Sequence, residues 1–171
     1  FGIDCIEHGG PMTDSTIEKV AKKNIPICTT FSPVVMQSNA EIARQYNIPE
    51  WKIKERQKIV KDKSRFDSLV KAKKAGIEII FGTDAGSPVV PHDAIVPEMK
   101  FMIDLGVVED NLDAIQSATY RAAKVNKMDD HIGSLEIGKE ADLIIVDGKP
   151  DKNIDDLSKV KQVYINGNRL I

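Results

Sequence analysis

Cysteine, aromatic residues and long apolar runs are all scarce in this sequence. The two cysteines, Cys5 and Cys28, each lie within an apolar run, and their spacing forms neither a zinc knuckle nor a disulfide framework. They are predicted to be buried, reduced thiols, which is typical of a cytoplasmic protein. No run approaches the roughly 20 apolar residues that span a bilayer, so we expect no membrane-spanning segment.

An excess of charge of either sign is also absent. The formal net charge is -2, which gives no electrostatic reason to expect a nucleic acid or an anionic membrane as a partner. Of the 171 residues, 42% are hydrophobic and 29% are charged. A chain of this length and composition can bury one substantial core, so an ordinary globular protein is expected.

Short apolar strands alternate with helices in the first two thirds of the chain. Because the strands are almost continuously apolar, they predict a parallel sheet covered by helices on both faces, hence an α/β fold. Three strands are too few for a barrel and leave two apolar edges open. The strands are predicted at 2–8, 25–31 and 77–86, and the helices at 13–24, in two pieces over 36–75 with a break near 47–52, and at 98–106.

The last third of the chain has a different pattern. An amphipathic helix is predicted over 111–128, followed by a strand at 141–146. Two alternating runs within 160–171 flank Asn166-Gly167, which is the strongest short-range signal for a hairpin. These residues predict an antiparallel β segment appended to the α/β body.

His8 and Asp84 each lie where a predicted strand ends. Since functional groups of parallel α/β folds cluster at the carboxyl ends of strands, the two side chains are expected at one mouth. An imidazole and a carboxylate there can bind a metal or move a proton. The alternatives are a structural, hydrogen-bonded His8 and an Asp84 that serves as a turn or N-cap residue.

Three further residues are candidates for contacting a substrate. Thr30 and Phe31 end the second strand and face the same mouth, and His92 lies in the Pro-rich loop after Asp84. The alternatives are a threonine present for its strand propensity, a core phenylalanine and a surface histidine.

Three stretches carry a family likeness: "GIDCIEHGG", "FGTDAGSP" and, most specifically, "ATYRAAKVNKMDDHIGSLEIGKEADLIIVDGKP". They resemble the C-terminal half of metal-dependent amidohydrolases, in the imidazolonepropionase-like and Xaa-Pro or Xaa-Arg dipeptidase-like branch. The likeness covers nearly the whole chain and is weakest over 36–75.

This resemblance implies a TIM-like (β/α)8 barrel with a small composite β-sandwich domain. The three strands would be the sixth to eighth of the barrel, residues 1–130 a partial barrel, and residues 131–171 the C-terminal part of the sandwich. It also implies one or two divalent metals, commonly zinc, with His8 and Asp84 as ligands and Asp84 as the catalytic group that deprotonates water. The other ligands, including a His-x-His pair, belong to strands expected before Phe1, so we expect the chain to be a C-terminal fragment that is inactive alone.

The main hypothesis is therefore part of a cytoplasmic, metal-dependent hydrolase that acts on C–N bonds of a small-molecule amide or peptide, such as a dipeptide or cyclic amide. The alternative is a non-catalytic half-barrel that serves as a binding or assembly module. Because open sheet edges favour pairing with another chain, a homo-oligomer is expected in either case.

Overall fold

The structure, a computed structural model, describes residues 2–171 and contains two separate three-stranded sheets. The first is parallel, in the order β1 (Ile6–His8), β2 (Ile27–Thr29), β3 (Ile79–Phe81). The second is antiparallel, in the order β4 (Leu143–Val146), β5 (Val160–Ile165), β6 (Asn168–Arg169). The predicted α/β class, with an antiparallel segment after it, is confirmed.

Eight α-helices and one 3₁₀ helix (Ile154–Ser158) surround the sheets within residues 2–171. The α-helices are α1 (Asp14–Lys22), α2 (Ser32–Ser38), α3 (Ala40–Gln45), α4 (Glu50–Asp62), α5 (Ser64–Lys74), α6 (Ile95–Asp104), α7 (Asn111–Ala118) and α8 (Tyr120–Val125). None of these helices is long and apolar enough to cross a membrane.

The three parallel strands are aligned so that their carboxyl ends are level. His8 pairs with Thr29, and Thr29 pairs with Phe81. Each strand has three residues, fewer than predicted, because the chain leaves the sheet early: Phe31 already precedes α2, which has a proline in its first turn. The level ends bring the segments after all three strands to one edge of the sheet.

The segment 36–75 forms more helices than predicted. The break near 47–52 is confirmed, since Asn47 has a φ of 57° and Pro49 precedes α4. A second break lies at Lys63, whose φ of 58° ends α4 and starts α5. A third lies at Asn39, whose side chain accepts hydrogen bonds from the first turn of α3. The sequence signals for these two breaks are weak, because lysine is a good helix former and asparagine also occurs within helices.

Two other helices differ from their predicted bounds. The helix predicted over 111–128 is interrupted at Thr119, which has φ and ψ of -121° and -96° and separates α7 from α8. The helix predicted from 98 begins at Ile95, so Pro97 lies in its first turn. A proline is tolerated there because first-turn N–H groups have no intrahelical partner.

The hairpin predicted around Asn166-Gly167 is confirmed. Asn166 has a φ of 49° and Gly167 a φ of 74°, and the flanking residues Ile165 and Asn168 pair directly across the turn. A two-residue turn with both φ values positive matches the right-handed twist of the flanking strands, which is why this dipeptide forms it.

One hydrophobic core joins the parallel sheet to its helices. Ile27 and Ile79 of the sheet and Leu69 of α5 are fully buried in it. Ile154, from the 3₁₀ helix in the last third of the chain, belongs to the same core. The domain boundary predicted at residues 130/131 stays a prediction. Residues on both sides of it pack in the same hydrophobic core.

Candidate active site

A cleft of about 250 Å³ lies at the carboxyl ends of the parallel strands. Its lining includes two of the predicted metal and catalytic residues and one of the predicted substrate contacts; the full set is His8, Thr30, Pro33, Val34, Arg56, Arg65 and Asp84. A larger hollow of about 400 Å³ lies at the opposite end of the sheet, beside Pro26 and Glu78. We assign the site to the smaller cleft, because the ionisable groups that end the strands meet there.

His8 is held in a defined orientation by Thr30. The Nδ1 atom of His8 lies 2.7 Å from Oγ1 of Thr30, which is buried at the end of β2. With Nδ1–H donating to that hydroxyl, the lone pair of Nε2 is left for another ligand. Nε2 has no hydrogen-bond partner among residues 2–171. One ring nitrogen of His8 therefore makes the structural hydrogen bond that was the alternative for this residue. The other ring nitrogen is free to bind a ligand.

The backbone at His8 is left-handed, with a φ of 67°, and Gly9 follows with a φ of 61°. A side chain on Gly9 would collide with Leu69, whose Cδ2 lies 2.7 Å from the position of an added Cβ. A left-handed non-glycine residue costs energy and persists only where its surroundings determine it. The chain thus turns sharply at the strand end and presents the imidazole to the cleft.

Asp84 also has a left-handed backbone, with a φ of 54°. Its carbonyl accepts a hydrogen bond from the Ser87 amide, at 3.1 Å, which closes a turn. Its carboxylate has no hydrogen-bond or ion-pair partner among residues 2–171, and it caps no helix there. Asp84 is therefore a turn residue, as one of the alternatives for it predicted, but its carboxylate is not used by the fold among the described residues.

Arg65 of α5 joins the ends of β1 and β2 to each other. Its Nε donates to the Gly9 carbonyl at 2.8 Å, and one terminal nitrogen donates to the carbonyls of His8 at 2.8 Å and Thr30 at 3.1 Å. Burial lowers the pKa of Arg65, and the charge of Glu98 opposes that shift. An arginine stays protonated in proteins, so a buried positive charge fixes both strand ends.

Glu98 of α6 is the buried negative charge nearest to this arrangement. It is fully buried, and its carboxylate accepts hydrogen bonds from the amides of Phe31 and Ser32, each at 2.7 Å, and from the Ser32 hydroxyl at 2.5 Å. Burial raises the pKa of Glu98, against the effect of these bonds and of Arg65. Glu98 thereby fixes the segment that connects Thr30 to α2.

The sequence model of the Amidohydrolase family matches residues 4–170 of this chain. The chain belongs to the amidohydrolase family. The resemblance seen in the sequence is therefore confirmed over nearly its whole length.

Several known proteins are similar to this amidohydrolase chain. A solved structure of a Xaa-Pro dipeptidase with methionine bound in its active site is 32% identical, with a TM-score of 0.79, over 98% of this chain and 40% of that one. The solved structure of A. niger ochratoxinase is 26% identical, with a TM-score of 0.73, over 98% of this chain and 37% of that one. A 5-methylthioadenosine/S-adenosylhomocysteine deaminase of Symbiobacterium thermophilum is 35% identical over 88 residues, 47% of this chain and 20% of that protein. The chain spans about two fifths of the length of these solved structures.

The residues present in the cleft fit a divalent metal in type but not in number. A free imidazole nitrogen and a free carboxylate are ordinary ligands for zinc, and a histidine that binds a metal typically makes a hydrogen bond through its other ring nitrogen, as His8 does with Thr30. Zinc takes at least three protein ligands. No group of three or more histidine, cysteine, aspartate or glutamate side chains within residues 2–171 could hold a metal ion.

The other predicted contacts lie away from the cleft. Phe31 is fully buried, and its ring packs edge-on against Phe66 at a centroid distance of 5.6 Å, so its side chain belongs to the core. This corrects the prediction that Phe31 lines the pocket. Its ring is buried in the core beside Phe66 and therefore lies away from the cleft. His92 is exposed and is not part of the cleft lining.

The cysteines do not offer an alternative nucleophile. Burial, with the nearby charge of Glu7, raises the pKa of Cys5 to about 11 and that of Cys28 to about 12. The thiolate is the nucleophilic form, and at neutral pH it is almost absent at such values. Both thiols are free and half-buried, which is less burial than predicted.

Sequence reasoning missed the buried charges Arg65 and Glu98, and also Arg56. A signal was present for the first two. Arg65 shares the spacing of Leu69 and Ala72 on the buried stripe of α5, and Glu98 precedes the buried Met102 by one helical turn. A charged residue at an apolar position of a helix indicates a buried polar network.

Proposed function

We propose that this chain supplies part of the active site of a metal-dependent hydrolase that acts on the C–N bond of a peptide. One observation carries the proposal: His8 and Asp84, both on left-handed backbone and both with free ligating atoms, line one cleft at the carboxyl ends of β1 and β3, the two outer strands of the parallel sheet. Strained backbone at two ligand-type residues is a typical feature of functional sites.

We further propose that β1, β2 and β3 take the sixth to eighth strand positions of a (β/α)8 barrel, and that the antiparallel sheet is part of a composite β-sandwich. The parallel order with a helix after each strand supports this assignment. The remaining metal ligands would come from segments outside the 171 residues. Two free thiols support a cytoplasmic location.

The chemistry follows from the types of the two residues. A bound divalent metal, zinc as the first choice, would supply a water molecule of lowered pKa and would polarise the carbonyl of the scissile bond. His8 would hold the metal through Nε2. Asp84 would accept the proton of the attacking water as the C–O bond forms, and would donate it to the leaving nitrogen as the C–N bond breaks. The left-handed turn at Asp84 lies at the cleft, and its carboxylate is part of the cleft lining.

A dipeptide is the proposed substrate class, and an Xaa-Pro dipeptide is the first to test. The similarity to a Xaa-Pro dipeptidase that is 32% identical supports this choice. The volume of the cleft, about 250 Å³, also suits a small leaving group.

The test is the hydrolysis of methionyl-proline by the full-length, zinc-loaded protein that contains these residues. Asp84→Asn is expected to lower kcat by about 100-fold or more, because a general base contributes about 10²–10⁴-fold. His8→Asn is expected to lower both zinc content and activity. Asp93→Asn, an exposed aspartate of the same loop, is the matched control and should leave both unchanged.

An Asp84→Asn variant with the parental kcat would contradict the assignment. If the zinc-loaded protein hydrolyses no dipeptide at all, the alternative of a non-catalytic binding or assembly module is favoured. The 171-residue chain alone should be inactive, because two ligands cannot hold zinc as three or more do. Zinc-dependent activity of the isolated chain would overturn this expectation.

A further inference from the structure

Two arginines line the cleft, and the fold uses Arg65 much more fully than Arg56. Arg65 donates to three carbonyls around the ends of β1 and β2. Arg56 of α4 makes one hydrogen bond, in which its Nε donates to Oε1 of Gln37 at 3.2 Å. Its two terminal nitrogens have no partner among residues 2–171, and they lie on the half of the guanidinium that is not anchored.

Arg56 is anchored through a buried amide. Gln37 of α2 is 3% exposed, and its Nε2 donates to the Pro88 carbonyl at 2.9 Å. That bond fixes which end of the Gln37 amide faces Arg56, so the amide oxygen receives the Arg56 Nε–H. The Arg56 guanidinium is therefore bound through its Nε to Gln37 of α2, and Gln37 is bound in turn to the loop that follows Asp84. This anchor orients the two terminal nitrogens of Arg56 before any ligand binds.

The charges of the cleft do not balance within residues 2–171. Glu98 is turned toward the amides of Phe31 and Ser32, and no carboxylate there forms an ion pair with Arg56. Arg56 also lies near the positive Arg65, and its charge adds to the effect of burial in lowering the pKa of Arg65. Asp84 is the one carboxylate of the lining, and the proposed metal takes it. A half-buried, oriented guanidinium in such a place is stabilised by binding an anion.

We propose that Arg56 binds the C-terminal carboxylate of the substrate, and so selects dipeptides over longer or C-terminally blocked peptides. This inference rests on the proposed function. The planar fork of a guanidinium matches a carboxylate with two parallel hydrogen bonds. Arg56 lines the same cleft of about 250 Å³ as His8 and Asp84, so the carboxylate that it binds would belong to a residue next to the scissile bond.

The test compares methionyl-proline with its C-terminal amide in the full-length, zinc-loaded protein. The parent should prefer the free acid in kcat/KM. Arg56→Gln should raise KM for the free acid by about tenfold to a hundredfold with a smaller change in kcat, since a charge-assisted pair of hydrogen bonds is lost. The preference for the acid over the amide should fall by a similar factor. Arg56→Lys, which keeps the charge but not the fork, should lie between.

Lys54→Gln is the matched control, because it removes one positive charge from an exposed position of the same helix and should leave the preference intact. A readout independent of turnover is competitive inhibition by free L-proline, which Arg56→Gln should weaken while inhibition by prolinamide stays the same. Melting curves of Arg56→Gln and Arg56→Lys establish that both variants fold.

The outcomes separate the two proposals. If the parent hydrolyses the free acid and Arg56→Gln changes acid and amide equally, or changes neither, this inference is overturned and the proposed function stands. Such a result would mean that Arg56 has a structural role or pairs with an acidic group of another segment. If the parent hydrolyses neither peptide and binds neither proline nor prolinamide, both proposals are overturned.

Discussion

At the scale of single residues, the site depends on how closely the strand ends pack. Gly82 follows β3, and a Cβ added to it would lie 2.6 Å from the Cys28 sulfur and 3.2 Å from the Thr29 carbonyl oxygen. The absence of a side chain there lets the segment that leads to Asp84 lie directly against β2. Gly82 thereby determines where the Asp84 carboxylate lies relative to the cleft.

Gly82→Ala is therefore expected to lower the free energy of unfolding by about 1–3 kcal/mol, the usual cost of overpacking. Cys28→Ala in the same protein removes the colliding sulfur, so the double variant should recover part of that loss. Chemical denaturation of the four proteins of this cycle measures the coupling. Gly10→Ala, with open space around its added Cβ and no positive φ, should be neutral. Equal effects of Gly82→Ala in both backgrounds would show that the sulfur contact does not matter.

Residue-scale prediction from the sequence succeeded in placing His8 and Asp84 at the strand ends, because a strand end can be read locally. It failed for Arg65 and Glu98, whose partners lie between 35 and 67 residues away along the chain. Phe31 shows the reverse error. It follows a strand end like the others, but an aromatic ring is buried more favourably in the core than at a polar mouth.

At the scale of elements, a carboxylate joins three helices near the amino end of α7. Asp113 accepts a hydrogen bond from the Glu109 amide at 2.8 Å and pairs with Lys73 of α5 at 3.2 Å and with Arg121 of α8. Burial would raise the pKa of Asp113, but this amide and these two cations together lower it. The carboxylate thus stabilises the folded state in its charged form.

The sign of the pH effect follows from that lowered pKa. Asp113 contributes its full stability above the ordinary aspartate pKa of 3.8 and loses it as the pH falls through its lower folded-state pKa. Asp113→Asn should cost about 1–3 kcal/mol at pH 6, and this difference from the parent should shrink as the pH falls below 3.8. Urea unfolding between pH 6 and pH 2 measures it. The control is Glu55→Gln, at an exposed position of α4. If the difference in unfolding free energy between Asp113→Asn and the parent stays constant with pH, the role given to the Asp113 charge is contradicted.

Element-scale prediction was accurate where capping and turn chemistry are local. The start of α1 at Thr13, whose hydroxyl accepts from the Thr16 amide, and the Asn166-Gly167 turn are both of this kind. The break at Lys63 was missed, because its left-handed backbone is not one that lysine itself prefers and so has no local sequence signal.

At the scale of the whole molecule, the antiparallel part exposes an apolar surface. Its exposed hydrophobic residues include Leu135 and Ile137, which are 83% and 109% exposed, with Ile144, Ile165 and Leu170. In the parallel sheet, β1 pairs with β2 alone among the described residues, so its other edge is open. Both features favour association with another chain.

The isolated 171-residue chain is therefore expected to self-associate, which agrees with the proposed homo-oligomer. Sedimentation velocity over a range of concentrations should show species larger than the monomer. Replacing Leu135 and Ile137 with serine should shift the distribution toward monomer, whereas Lys54→Gln, on the exposed face of α4, should not. A monomer at all concentrations would contradict this expectation.

The link between Gln37 and Pro88 has a consequence for how this chain can change over evolutionary time. Gln37 uses both ends of its amide, whereas Pro88 contributes only its carbonyl oxygen. A main-chain acceptor tolerates almost any side chain at its position, so position 88 is free to drift. Position 37 is not, because its replacement would release Arg56 and the loop after Asp84 together. If Arg56 binds the substrate as proposed, substrate preference and loop shape would depend together on a single glutamine that lines neither the metal site nor the cleft.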